Sequence, residues 1–256
     1  ALSAGIESAK FLADNATNDG GATTTRFEIG GGGDLVLNGA WTVAAAEELP
    51  EGLVAWWKLD ETSGTTANDS AGTNDGTLNG PVWVDTGVRR AADFDGTDDI
   101  ITVPFSSDFD ITTMSTWSVV MWVYFDDLNN GGLLGISPIT INKGTQLLFT
   151  QDTDNIKVYT PGGNINFGEG GTTILTGQWY HLVFTYSSVS GMLIYIDTDS
   201  VSTANHTIAS DTSNLYMGAN YSGYADTFLN AKMAGVRIYD RVLPLSEIEE
   251  LYASGE

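Results

Sequence analysis

Residues 177–197 read GQWYHLVFTYSSVSGMLIYID, two apolar runs joined by a short polar stretch that ends in glycine. The runs at 182–186 and 192–196 are rich in Val, Ile, Phe and Tyr, which favour a pleated strand over a short helix. Near-continuous apolar character is expected of strands lying between two packed layers. Polar turn residues between two such runs signal a hairpin. An all-β centre follows, and every other segment can be tested against it.

From Gly52 onward the pattern stays dense in strand and turn. GLVAWWKLDE places Leu53, Ala55, Trp57 and Leu59 at period 2, and polar loops follow at 61–64 and 68–76. Short strands are expected at 82–84, on either side of a turn at Gly96 within 91–103, and at 133–136, 146–150, 157–159, 215–218 and 234–239. A long core strand is expected at 117–125 (WSVVMWVYF). Near the end, Ser246 and Glu249 have capping-box spacing, with Ile248 and Leu251 as the apolar side of a short helix. Many short strands with almost no helix point to a β-sandwich or jelly roll. No internal repeat supports a propeller or solenoid.

Five stretches then line up in order: GLVAWWKLDETSGTTANDSAGTNDGTL, AADFDGTDDIITVP, WSVVMWVYF, QWYHLVFTYSS…GMLIYID and MAGVRIYDRVLPLSEIEELY. Together they resemble the laminin-G-like, concanavalin A-like family over about residues 52–253. The resemblance implies an antiparallel jelly roll of two sheets at 51–256, with its first strand paired near its last. It also implies carbohydrate or protein recognition, often beside a bound calcium ion. One departure is Ala234-Gly235, where many relatives carry acidic residues before VRIY.

Residues 1–50 lie outside that resemblance. They hold a short helix-like stretch, a run of turn formers, and four consecutive glycines at 30–33 that are too flexible to specify a tight turn. An arm of this size holds no proper core, so it is expected to dock elsewhere: on the main domain, a sister subunit or a larger assembly.

Charge narrows the partners. Asp and Glu number 33 against 10 Lys and Arg, a net charge of −23. Such a surface repels nucleic-acid phosphate and anionic lipid, and favours cations, salty surroundings or a basic docking surface. No apolar stretch approaches the roughly 18–20 residues that span a bilayer. The absence of cysteine removes disulfides, thiolate zinc sites and cysteine nucleophiles. The sequence opens at Ala1 without a charged-then-apolar leader, which leaves secreted and cytosolically assembled origins open. The expected location is extracellular or on the surface of a particle such as a virion.

Candidate calcium ligands are Asp69 and Asn74, with Asp75, in one Gly-containing loop, and Asp95 and Asp98, with Asp99, around Gly96. Calcium takes six to eight hard oxygens from flexible loops, which Asp, Asn and Gly supply. The competing reading is a set of Asx turns, in which these side chains bond their own backbone. Candidate sugar contacts are Asn220, Tyr221 and Tyr224 in NYSGYAD, an amide beside loop aromatics. The strand tryptophans read as core, His181 as a satisfied strand histidine, and Asp197–Asp199 as a solvated turn tip.

No G-x-S-x-G elbow is present. The alternating carboxylate strand motif of glycosidases on this fold is not found either, since EIEEL belongs to the terminal helix. The expected function is therefore non-enzymatic: adhesion or recognition of a glycan or cell-surface protein, displayed on a larger assembly through residues 1–50. The alternative is a structural decoration or subunit protein of a virion or extracellular filament.

Overall fold

The hairpin forms as expected, with Trp179–Ser187 paired antiparallel to Gly191–Ile196 and Ser187 opposite Gly191. The protein is seen here in a computed structural model that describes residues 49–110, 113–129, 131–136, 145–150, 155–160, 163–167, 173–202, 214–219 and 228–255. The chain divides into two units, Ala1–Glu47 and Glu48–Glu256, and the described residues belong to the second. The expected arm, up to residue 48, lies outside the described residues.

Two antiparallel sheets of eight strands each make up the sandwich. The first contains β1 (Leu53–Trp57), β4 (Val82–Asp85), β5 (Arg90–Asp95), β7 (Thr116–Phe125), β12 (Trp179–Ser187), β13 (Gly191–Ile196), β14 (Asp199–Ser202) and β16 (Asn230–Tyr239). Its order is β14-β13-β12-β7-β16-β5-β4, with β1 also on β16. The second contains β2 (Thr66–Ala67), β3 (Gly76–Asn79), β6 (Ile100–Val103), β8 (Gly131–Ile136), β9 (Thr145–Thr150), β10 (Asn155–Thr160), β11 (Gly163–Phe167) and β15 (Leu215–Met217). Its order is β11-β10-β9-β8-β15-β6-β3-β2. A single α-helix among the described residues, α1 (Leu245–Ser254), closes the chain.

The continuous apolar run of β7 has a specific cause. Trp117, Val119, Met121, Val123 and Phe125 face the core between the sheets, where Tyr180, Leu182, Phe184 and Tyr186 of β12 join them. On the outer face, Val120 and Val183 pack with Tyr239, Leu243 and Ile248. Both faces of the strand are thus covered, one by the opposite sheet and one by α1 with the segment before it. Ser118 is the polar exception: its hydroxyl donates to Arg241 O (2.7 Å) and accepts from Leu243 N (2.9 Å), pinning the approach to α1.

The helix differs from expectation at its start. Pro244 is the N-cap, with no side-chain cap bond, so Ser246 lies inside the first turn. Proline before the helix lacks an N–H and has a fixed φ, which suits the entry without a hydroxyl cap.

Strand β16 carries three partners. One edge pairs with β7; the other pairs with β5 along Asn230–Met233 and with β1 along Val236–Tyr239. The change of partner falls at Gly235, whose φ is +60° and whose N–H donates to Lys58 O (2.9 Å). A bulge here lets one strand serve two neighbours end to end.

Candidate functional site

The sequence candidates separate into two places, at opposite ends of β3. Asp69, Asn74 and Asp75 precede β3, whereas Asp99 meets its far end at Gly80. Four residues of strand put roughly 10 Å or more between them.

In the first loop Asp69 serves its own surroundings. Its Oδ1 accepts from Trp56 N (2.9 Å) and Ala71 N (3.0 Å), and its Oδ2 from Asn74 N and Nδ2 (both 3.1 Å). Asp69 N in turn donates to Asp75 Oδ1 (2.9 Å), and Trp57 Nε1 to Asn74 O (2.8 Å). Burial works to raise the Asp69 carboxyl, but these N–H donors outweigh it and hold it below the ordinary aspartate range. Four donors fill the roughly four acceptor positions of a carboxylate. The geometry is that of an Asx turn stapling the loop to β1.

The second loop is different. The chain leaves β5 at Asp95, turns at Gly96 and enters β6 on the other sheet, so this turn crosses the sandwich. Carboxylate oxygens of Asp95, Asp98 and Asp99 all lie within 4.8 Å of one another. Asp95 Oδ1 accepts from Thr97 N (2.8 Å), and Asp99 Oδ2 accepts from Asp95 N (2.9 Å). Asp99 is only 6% exposed. Burial pushes its carboxyl up; the Asp95 N–H opposes this, and the charges of Asp95, Asp98 and Asp93 add to the rise. Gly80 makes the arrangement possible, with φ +99° and its α-carbon close against the Asp99 carboxylate.

Beside this turn opens a cavity of about 420 Å³, with polar walls from Asp93, Asp95, Asp99, Asp126, Asn230 and Lys232. Lys232 Nζ is 2.6 Å from Asp126 and 3.4 Å from Asp93, and lies 5.1 Å above the Tyr124 ring. Burial disfavours its charge, yet the Asp126 hydrogen bond and Asp93 hold it above the ordinary lysine range. Asn230 Nδ2 donates to Asp127 Oδ2 (2.6 Å), fixing the turn after β7.

Sheet register explains the grouping: Lys232 stands opposite Asp93 on β5 and Tyr124 on β7, and Tyr124 stands opposite Trp179 on β12. Asp93, Lys232, Tyr124 and Trp179 form one cross-strand row on the outer face. Sequence reasoning missed Asp93, Asp126, Asn230 and Lys232, because only the strand pairing assembles them.

The sugar candidates Asn220, Tyr221 and Tyr224 lie outside the described residues. The residues flanking that segment, Ala219 and Phe228, pack with Ile100 and Tyr216. Next to them Leu229 O accepts from Gly96 N (3.0 Å), and Leu229 N donates to Gly218 O (2.8 Å). Leu229 thus stands beside the acidic turn.

His181 lies in a strand, as expected, and is fully buried, but it is not satisfied: neither ring nitrogen has a partner among the described residues. Its ring lies 4.9 Å from that of Trp122, its cross-strand neighbour, and 6.0 Å from Tyr252 of α1. Burial first, then the Arg237 and Arg89 guanidiniums, press its pKa down to about 4. Asp197 also departs from a solvated tip. It sits at φ +57°, and its Oδ1 accepts from His181 N (3.0 Å).

The tryptophans divide. Trp57 and Trp117 are fully buried, whereas Trp56 and Trp179 are half-buried on the outer face under cations, Arg237 over the former and Arg89 over the latter.

The profile of the concanavalin A-like lectin/glucanases superfamily matches residues 95–249, more than half of the chain. The chain belongs to this superfamily. No curated protein matches its sequence. Among solved structures, a Trypanosoma rangeli sialidase in complex with sialic acid superposes with a TM-score of 0.63 at 20% identity, over 80% of this chain and 33% of the sialidase. This concanavalin A-like chain thus spans about a third of the sialidase's length. Domain 4 of AbnA, an extracellular arabinanase from Geobacillus stearothermophilus, in complex with arabinotriose, superposes with a TM-score of 0.60 at 19% identity, over 78% of this chain and 98% of that domain. The binding domain of Paraclostridial Mosquitocidal Protein 1 gives 0.63 at 16% identity, over 80% of this chain and 52% of that one. At these identities the likeness is one of fold. The lectin-like sandwich here carries its acidic turn where the superfamily match begins.

Proposed function

We propose that this concanavalin A-like domain is a non-catalytic recognition module that binds glycans at the cavity beside Gly96. The observation that carries the reading is the cavity itself, of small-ligand size, walled by carboxylates, an amide and a lysine, next to Leu229. In the proposal Asn220, Tyr221 and Tyr224 supply the amide and aromatic faces of the rim. A sugar-bound neighbour, the arabinanase domain with arabinotriose, covers almost the same fold and supports a carbohydrate ligand class.

The proposed calcium site is Asp95, Asp98 and Asp99, three hard carboxylates close enough to share one ion. Asp69 and Asn74 are left out of it because they spend their oxygens and amide on each other and on their own loop. Residues 1–50 are proposed to anchor the module to an extracellular assembly or particle surface. A glycan array probed with the full chain, in calcium and in chelator, tests the recognition role. An absence of any hit above background in calcium would sink it. Deletion of residues 1–45 tests the anchoring role separately, through loss of assembly with the sandwich still folded.

A further inference from the structure

The charge lining the cavity says which glycans it can admit. Four of its walls are carboxylates, Asp93, Asp95, Asp99 and Asp126, and a single base, Lys232, faces them. That base is already engaged, at 2.6 Å by Asp126 and 3.4 Å by Asp93. The wall therefore offers many hydrogen-bond acceptors, and the charge of its one base is already paired with two of the carboxylates. Asp99 sharpens this: one oxygen accepts from Asp95 N, while the other has no donor among the described residues. Carboxylate oxygens accept from sugar hydroxyls, so the wall suits a ligand rich in hydroxyl donors.

Resting on the glycan-binding reading above, we infer that this site selects neutral or amino-bearing oligosaccharides, rich in hydroxyl donors, and rejects sialylated, uronic and sulfated ones. An acidic sugar would bring a charge of the same sign against several carboxylates in a confined space, where the one lysine of the wall is already paired with two of them. A calcium ion at Asp95, Asp98 and Asp99 would not reverse the sign, because five carboxylates still exceed its two charges and that of Lys232.

The test is an array of matched glycans differing only in one group, probed with the full chain: neutral parents, their de-N-acetylated amino forms, and their sialylated, uronic and sulfated derivatives. Neutral and amino forms should bind, and each acidic derivative should bind roughly tenfold or more weakly than its parent, with the gap narrowing at high salt. Asp126→Asn and, separately, Asp99→Asn should also narrow it, in protein whose circular dichroism and melting match the parent. Acidic derivatives binding as well as their parents would overturn the selectivity while leaving glycan recognition intact. Neutral binding whose preference ignores both substitutions would overturn this cavity as its source. No binding to any glycan would remove the underlying reading and this inference with it.

Discussion

Asp99 Oδ1 occupies the space where a side chain on Gly80 would begin: a Cβ at residue 80 would stand 1.9 Å from that oxygen. The glycine also sits at φ +99°, a conformation side chains resist. Gly80→Ala should therefore destabilise the domain by about 1–3 kcal/mol and push Asp99 out of the acidic turn. Thermal unfolding reads the first effect, and a calcium titration by terbium luminescence reads the second. Unchanged ion affinity in a strained but folded variant would remove Asp99 from the proposed site.

The two acidic loops should behave oppositely. Asp69→Ala strands several buried N–H donors and should cost about 2–3 kcal/mol, with ion affinity little changed in the folded fraction. Asp95→Asn and Asp98→Asn, at exposed positions, should leave the melting temperature almost untouched and abolish calcium binding. The reverse pattern would return the ion to the Asp69 loop.

His181 predicts an acid limb of stability. Its folded pKa of about 4 lies below the 6.5 of the free side chain. Between these values the unfolded chain takes up a proton that the folded site refuses, so stability falls as pH drops through the window and is complete above it. The full effect is about 3 kcal/mol. Asp99 and Asp197, both raised, act with opposite sign, so the clean readout is a comparison. In denaturant titrations from pH 4 to 7, His181→Phe should flatten the slope and be more stable than the parent at pH 5. Parallel curves for the two proteins would show that His181 does not titrate in this way.

Lys232 separates Asp93 from Asp126. Lys232→Met should cost about 1 kcal/mol at low salt, a modest value because both carboxylates are about one-third exposed. The loss should shrink in high salt, where like charges are screened. A salt-independent loss would assign the effect to packing on Tyr124.

Much of the fold was legible because several strands announce themselves in composition. β12, β13 and β7 are long, apolar and β-branched or aromatic, so their existence followed from local preference. β3 and β11 (GTLN and GNINF) contain turn-forming residues and become strands only through pairing with β6 and β10. The site was legible in part for a similar reason. Asp95, Asp98 and Asp99 are neighbours in sequence, and their grouping could be read directly. Lys232 meets Asp93 and Tyr124 across strands more than a hundred residues apart, which no local pattern encodes. The unsatisfied state of His181 was hidden as well, because it depends on what α1 lays over the ring.

Leu53 at the start of β1 lies opposite Tyr239 at the end of β16, and Arg241 Nε donates to Glu51 O at 2.7 Å. The first and last strands of the sandwich therefore meet at one corner, from which α1 runs on across the outer face to Trp122 and His181. A unit closed on itself this way is a cassette: it can be appended to a host chain, or spliced into a loop whose ends stand roughly the 15 Å of such a helix apart. The joint at that corner, not the recognition surface around Gly96, is what such a rearrangement would have to preserve.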